Sequence, residues 1–196
     1  MNLHLVIFAF LLVVLIYAFN SLITKGFKKI EPKVAFLYMS AVAMVGVFGE
    51  VIVGNTYNLL FGEHLWNYIV YPIYGGFTSH YAPVIWGLYG LYLCLSHDTL
   101  MKKRKLRKEK HLALIFSIET IVLETLANWL YRLLFGGYLF FYLPDDLWHL
   151  SSLRGVPFYF LTGLAIFYVI KFQRTSPIRY GTLNTLLVVG LILLAS

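Results

Sequence analysis

Thirty-four residues recur in this chain at a constant spacing of 74: Glu50 to Pro83, and again Glu124 to Pro157, aligned without a gap. Nine positions are identical: Glu50/Glu124, Tyr57/Tyr131, Leu59-Leu60-Phe61-Gly62 against Leu133-Leu134-Phe135-Gly136, Leu65/Leu139, Tyr68/Tyr142 and Pro83/Pro157. Leu, Phe, Tyr and Gly are common here, so composition supplies some of these matches. An unbroken four-residue run in register with Glu, two Tyr and a Pro argues for duplication. Each copy opens with a carboxylate inside an apolar stretch, where ionisable groups are costly and mark sites. Duplicated helical units are a frequent way for membrane transport proteins to build a central site.

The 196 residues are 60% hydrophobic and 13% charged, outside the range of soluble domains. About 20 apolar residues cross a bilayer as a helix. Six such stretches lie near 4–24, 34–60, 80–97, 112–136, 156–172 and 178–195. The expectation is an all-α polytopic protein, a single integral membrane domain over 1–196. Spans 2-3 and 4-5 form a parallel internal repeat, with copies over about 34–97 and 108–172. Pro83 and Pro157 suit the first turn of a helix.

Charge placement orients the spans. Of 16 Lys and Arg, 14 fall in three alternate loops: Lys25, Lys28, Lys29 and Lys33; Lys102, Lys103, Arg104, Lys105, Arg107, Lys108 and Lys110; Lys171, Arg174 and Arg179. The positive-inside rule makes these loops cytoplasmic, with both termini and the loops 61–82 and 137–155 outside the cell membrane. The net charge of +7 is thereby explained by anionic membrane lipid rather than nucleic acid. The first stretch lacks a basic n-region and a small-residue cleavage site, so it reads as a retained helix. Cys94 is the sole cysteine, which excludes an internal disulfide and a thiolate cluster.

Helical spacing places Ser117, Thr120, Glu124, Asn128 and Arg132 on one face of the fourth span. In the second span the matching stripe is Glu50, Gly54 and Asn58, with Tyr57 beside it. A polar stripe on an apolar helix turns away from lipid. The candidate ligand-binding residues are therefore Glu50, Glu124, Asn128, Asn58, Arg132, Tyr57, Tyr131 and the loop residue Trp66. Glu50 and Glu124 stand at similar depth, an arrangement suited to proton coupling, cation binding or general acid catalysis. A purely structural role, one Glu hydrogen-bonded between helices, is the plainer alternative. Arg132 is expected to pair with Asn58 or with an acid in the loops.

The two exterior loops are rich in aromatic residues, as membrane interfaces are. The sharper reading is that they dip over the bundle and line a cup. They also hold Glu63, His64 and His80, and Asp145, Asp146 and His149. These residue types ligate zinc or manganese, but no recognised zinc spacing occurs, and no metal or other cofactor is assigned. No nucleophile motif and no phosphate-binding loop is present.

The pattern Glu50…Gly54…Trp66-Asn67-Tyr68…Pro72…Trp86-Gly87 resembles the small bacterial CmpB-like family of ABC-transporter permeases. In the second copy Phe140-Phe141-Tyr142 stands in place of the Trp-Asn-Tyr, and Asn128 in place of the Gly. The resemblance implies a permease-like role with a partner ATPase. The residues themselves favour a membrane transport protein that binds a small solute, ion or lipid-like molecule between the two hairpins. Two alternatives stay open. One is a membrane-embedded enzyme using Glu as general acid on a lipid or isoprenoid. The other is a non-catalytic subunit of a larger membrane complex.

Overall fold

The computed structural model describes residues 2–26, 29–104 and 109–195; of the basic-loop residues, Lys28, Lys105, Arg107 and Lys108 fall outside them. The chain forms six α-helices: α1 (Leu3–Thr24), α2 (Pro32–Phe61), α3 (Ala82–Arg104), α4 (Glu109–Phe135), α5 (Val156–Gln173) and α6 (Pro177–Leu194). Five apolar segments are long enough to cross a membrane; that of α3, Ala82–Ser96, is shorter. Large apolar side chains remain exposed along α1 and α6, among them Phe10, Leu15, Leu22, Leu186 and Leu193. Such faces are compatible with a lipid environment.

The repeated Leu-Leu-Phe-Gly run has a local explanation. Gly62 and Gly136 follow the last residues of α2 and α4 in left-handed backbone, at φ 71° and 75°. Each amide then closes its helix, Gly62 N on the Asn58 carbonyl at 2.8 Å and Gly136 N on the Arg132 carbonyl at 2.9 Å. A glycine there adopts positive φ without the penalty a Cβ imposes. The three apolar residues before each glycine belong to the helix end: Leu59, Leu60, Phe61, Leu133 and Leu134 point outward.

Beyond these caps the loops carry four short strands, which the helical expectation did not include: β1 (Trp66–Tyr68), β2 (Pro72–Ile73), β3 (Thr78–Ser79) and β4 (Phe140–Tyr142). β2 and β3 close a small hairpin within the first loop. β1 and β4 pair antiparallel between the two loops, with Trp66 opposite Tyr142, Asn67 opposite Phe141 and Tyr68 opposite Phe140. Asn67 and Phe141 are themselves 74 apart, the spacing at which the sequence recurs. The pairing supplies partners for backbone groups that would otherwise stand bare over an apolar bundle.

α2 and α3 pack as an antiparallel hairpin, and so do α4 and α5. Glycine lets each pair approach closely. A Cβ on Gly90 would lie 2.5 Å from the Tyr38 carbonyl oxygen, and one on Gly163 3.1 Å from the Ala113 Cα. α1 lies against α3, and α6 against α2. Gln173 and Asn184 exchange two amide hydrogen bonds, at 3.0 and 2.7 Å, across the α5–α6 turn. The Tyr81 hydroxyl donates to the Leu5 carbonyl (2.8 Å) and the Tyr74 hydroxyl to the Leu191 carbonyl (2.6 Å). The start of α1 and the end of α6 therefore sit at the same end of the bundle as the paired loops.

Candidate functional site

Glu50 is buried two-thirds of the way along α2, and three side chains from the loop and α3 converge on it. Its Oε1 accepts from the Tyr68 hydroxyl at 2.5 Å and the Trp86 indole N–H at 2.8 Å, and its Oε2 from the Thr78 hydroxyl at 2.5 Å. Glu124 on α4 is half-buried and dressed in the same manner. Its Oε1 accepts from the Tyr159 hydroxyl at 2.5 Å and its Oε2 from Ser151 at 2.8 Å, while the Tyr142 hydroxyl lies 3.0 Å from Oε2 and 3.2 Å from Oε1. Tyr142 and Tyr159 also bond each other at 2.5 Å. All of these donors are neutral.

The two carboxylates line two common cavities. One, of about 30 Å³, lies towards α5, between Gly49, Val53, Trp66, Phe158 and Thr162. It is large enough for about one water molecule. The other, of about 120 Å³, lies towards α1, between Leu12, Ile16, Leu88, Tyr89, Leu123 and Ala127. Glu50, Tyr68, Trp86, Glu124 and Phe140 border both. Among the described residues no Lys, Arg or His lines either cavity.

The strand pairing fixes the two tyrosine donors. Tyr68 and Tyr142 are buried at opposite ends of the β1–β4 ladder, and their rings contact Phe140 and Trp66 across it, with centroids 5.7 and 6.0 Å apart. Burial, and then the neighbouring Glu50 carboxylate, push the Tyr68 phenol well above its ordinary value of 10.0; burial and then Glu124 do the same to Tyr142. Both therefore remain O–H donors at physiological pH. The Trp66 indole N–H is committed to the Phe77 carbonyl at 2.8 Å, so this residue offers the small cavity a ring and no free donor.

Of the residues expected to bind a ligand, Glu50, Glu124 and Trp66 come together. The others stand elsewhere. Asn128 is fully buried, but its amide donates to the carbonyls of Phe140 (2.7 Å) and Leu150 (3.2 Å), and its oxygen accepts from the Leu139 amide (3.0 Å). It pins the second loop. Asn58 is exposed. Arg132 is also exposed and, instead of pairing with Asn58 or a loop acid, donates to the Tyr138 hydroxyl at 2.7 Å with its guanidinium over that ring. Tyr57 is buried against Phe61 and Phe158, with its hydroxyl 3.4 Å from Arg154 Nη1. Tyr131 packs edge-on to Phe8 at 5.2 Å. Neither tyrosine borders either of these two cavities.

Helical periodicity could not separate these cases. It finds the polar side of a helix, not what has already been used to satisfy it. The residues it missed, Tyr68, Thr78, Trp86, Tyr142, Ser151 and Tyr159, come from loops and partner helices. Tyr68 and Tyr142 did carry a signal, being identical in the two copies.

The acids and imidazoles of the two loops disperse rather than converge. Glu63 approaches Arg154 (3.6 Å), His64 Nδ1 meets Asn67 (2.6 Å), and His149 lies between Asp145 (3.4 Å) and the Tyr142 carbonyl (2.7 Å). Asp146 Oδ2 accepts from the Ser152 hydroxyl and the Leu153 amide. Among the described residues no group of three or more His, Cys, Asp or Glu could hold a metal ion.

Comparison with protein-family models, with curated proteins and with solved structures returns no match.

Proposed function

We propose that this is a multi-pass membrane protein of transport type, built from two repeated helical hairpins that bind a small solute, ion or lipid-like molecule on Glu50 and Glu124. The observation that carries the reading is that two carboxylates, one from each hairpin, border the same two cavities. Intramembrane carboxylates facing a bundle interior are characteristic of ion and substrate pathways.

The repeat rests on parallel contacts. Tyr68 reaches Glu50 as Tyr142 reaches Glu124, both at a spacing of 74. Thr78 and Trp86 on Glu50 correspond to Ser151 and Tyr159 on Glu124 at 73, and Gly90 against α2 corresponds to Gly163 against α4, again at 73. The second copy thus has one residue fewer between its strand and its second helix. On this reading Pro83 and Pro157, identical in the ungapped alignment, are one position out of register.

In the same proposal the paired loops face the exterior. Lys25, Lys29, Lys33, Lys171, Arg174 and Arg179, all exposed, lie in or beside the terminal turns of helices at the far end of the bundle. Cytoplasmic placement of that end satisfies the positive-inside rule and leaves both α1 and α6 with their free ends outside.

The test is flux in proteoliposomes, with a pH-sensitive dye inside and a panel of small cations, amines and neutral solutes outside. A solute that moves with the wild type should be stopped by Glu50→Gln and by Glu124→Gln, with insertion and folding intact. Wild-type flux in both variants sinks the proposal.

A further inference from the structure

The larger cavity and the carboxylates at its edge have chemistry that narrows the ligand. Its walls are apolar: Leu12 and Ile16 of α1, Ile85 and Leu88 of α3, Leu123 and Ala127 of α4. At about 120 Å³ it is close to the apolar cavity of about 150 Å³ that accommodates benzene in an engineered protein. A bare inorganic cation would leave those walls unfilled. A purely apolar molecule would leave the carboxylates without a new partner.

The acceptor arithmetic points the same way. An ionised carboxylate offers about four lone-pair positions. Glu50 uses three, with Thr78 alone on Oε2. Glu124 has Ser151 on Oε2, while Tyr142 and Tyr159, in contact with each other, share two O–H protons between that contact and the carboxylate. Each carboxylate thus keeps room for one further donor, which a single primary ammonium supplies to both. Rings of Trp86, Tyr89 and Tyr68 border the same space, and aromatic faces attract a desolvated cation. An anionic or zwitterionic head group finds no counter-charge there, because among the described residues no Lys, Arg or His lines the cavity.

α1 meets α4 through ring contacts at the loop end, His4 on Phe135 (4.7 Å) and Phe8 on Tyr131 (5.2 Å). The cavity wall contributed by Leu12 and Ile16 begins one turn further along α1.

We infer that the cavity between α1, α3 and α4 binds a small primary amine with an apolar body, its ammonium on Glu50 and Glu124 and its hydrocarbon part against Leu12, Ile16, Leu123 and Ala127. This rests on the proposed shared site and adds the class of ligand.

The experiment is calorimetric titration of the protein in nanodiscs with benzylamine, and with benzyl alcohol as the uncharged counterpart. Saturable benzylamine binding is expected, at least tenfold tighter than that of the alcohol. Glu50→Gln and Glu124→Gln should each weaken it tenfold or more. Ala127→Leu, which fills the apolar end and leaves the carboxylates and their donors in place, should weaken it comparably. Equal binding of amine and alcohol, or unchanged binding in Ala127→Leu, overturns the inference. If some other solute shows Glu-dependent flux while benzylamine neither binds nor competes, the ligand class is wrong and the shared site survives. Indifference of every solute to both glutamates removes both.

Discussion

Two glycines on one helix separate the candidate site from ordinary packing. Gly46 and Gly49 both lie in α2 and both border the small cavity. A Cβ on Gly49 meets only Thr162 Oγ1, at 3.7 Å, an ordinary contact. A Cβ on Gly46 falls 2.2–2.7 Å from the Trp86 ring, so the indole has to move. That indole holds Glu50 Oε1 through its N–H. Replacing glycine by alanine inside a helix stabilises by about 0.5–1 kcal/mol. For Gly49→Ala this gain stands almost alone. For Gly46→Ala it is opposed by overpacking of about 1–3 kcal/mol and by about 1–3 kcal/mol for the buried Trp86 N–H that loses its acceptor. The net loss is about 1–5 kcal/mol, or on the order of 2–20 °C in Tm for a chain of this length. Thermal unfolding of both variants in the same nanodisc checks this, with tryptophan emission reporting displacement of Trp86. Equal melting temperatures and unshifted emission in the two variants would refute the argument that Gly46 exists to admit Trp86 to Glu50.

Asn128→Ala strips partners from the Leu139 amide and from the Phe140 and Leu150 carbonyls, and is expected to destabilise by about 3 kcal/mol or more. The exposed Asn58→Ala should stay within about 0.5 kcal/mol, and denaturant midpoints that match between the two would contradict the pinning role. The phenols of Tyr68 and Tyr142 are held above the ordinary tyrosine value, so the native state keeps a proton that the unfolded chain releases at about pH 10. Stability from this source is whole below that pH and falls as pH rises beyond it. Unfolding measured at pH 9 and pH 11 should show a smaller drop for Tyr68→Phe/Tyr142→Phe than for the wild type, and an identical drop would discount the effect.

What the sequence settled by itself was whatever depends on neighbours along the chain. Helical stretches followed from apolar runs of sufficient length. The placement of Glu50 and Glu124 inside apolar stretches was visible in the same way. The identity of Tyr68 and Tyr142 in register with them was visible too, but not the bond each makes to its Glu. Tertiary structure alone decided which polar groups were already satisfied. Asn128, on the same helical stripe as Glu124, is used up by three backbone groups, whereas Arg132 turns out to Tyr138. On the duplication proposed above, it also gives the one-residue slip after β4, because an ungapped alignment scores letters while hydrogen bonds answer to three-dimensional position. Pairing of β1 with β4 brings the two loops together, and no local pattern encodes a partner 74 residues away. The cavities arise from that assembly, since their walls come from helices and loops that meet only when the chain is folded.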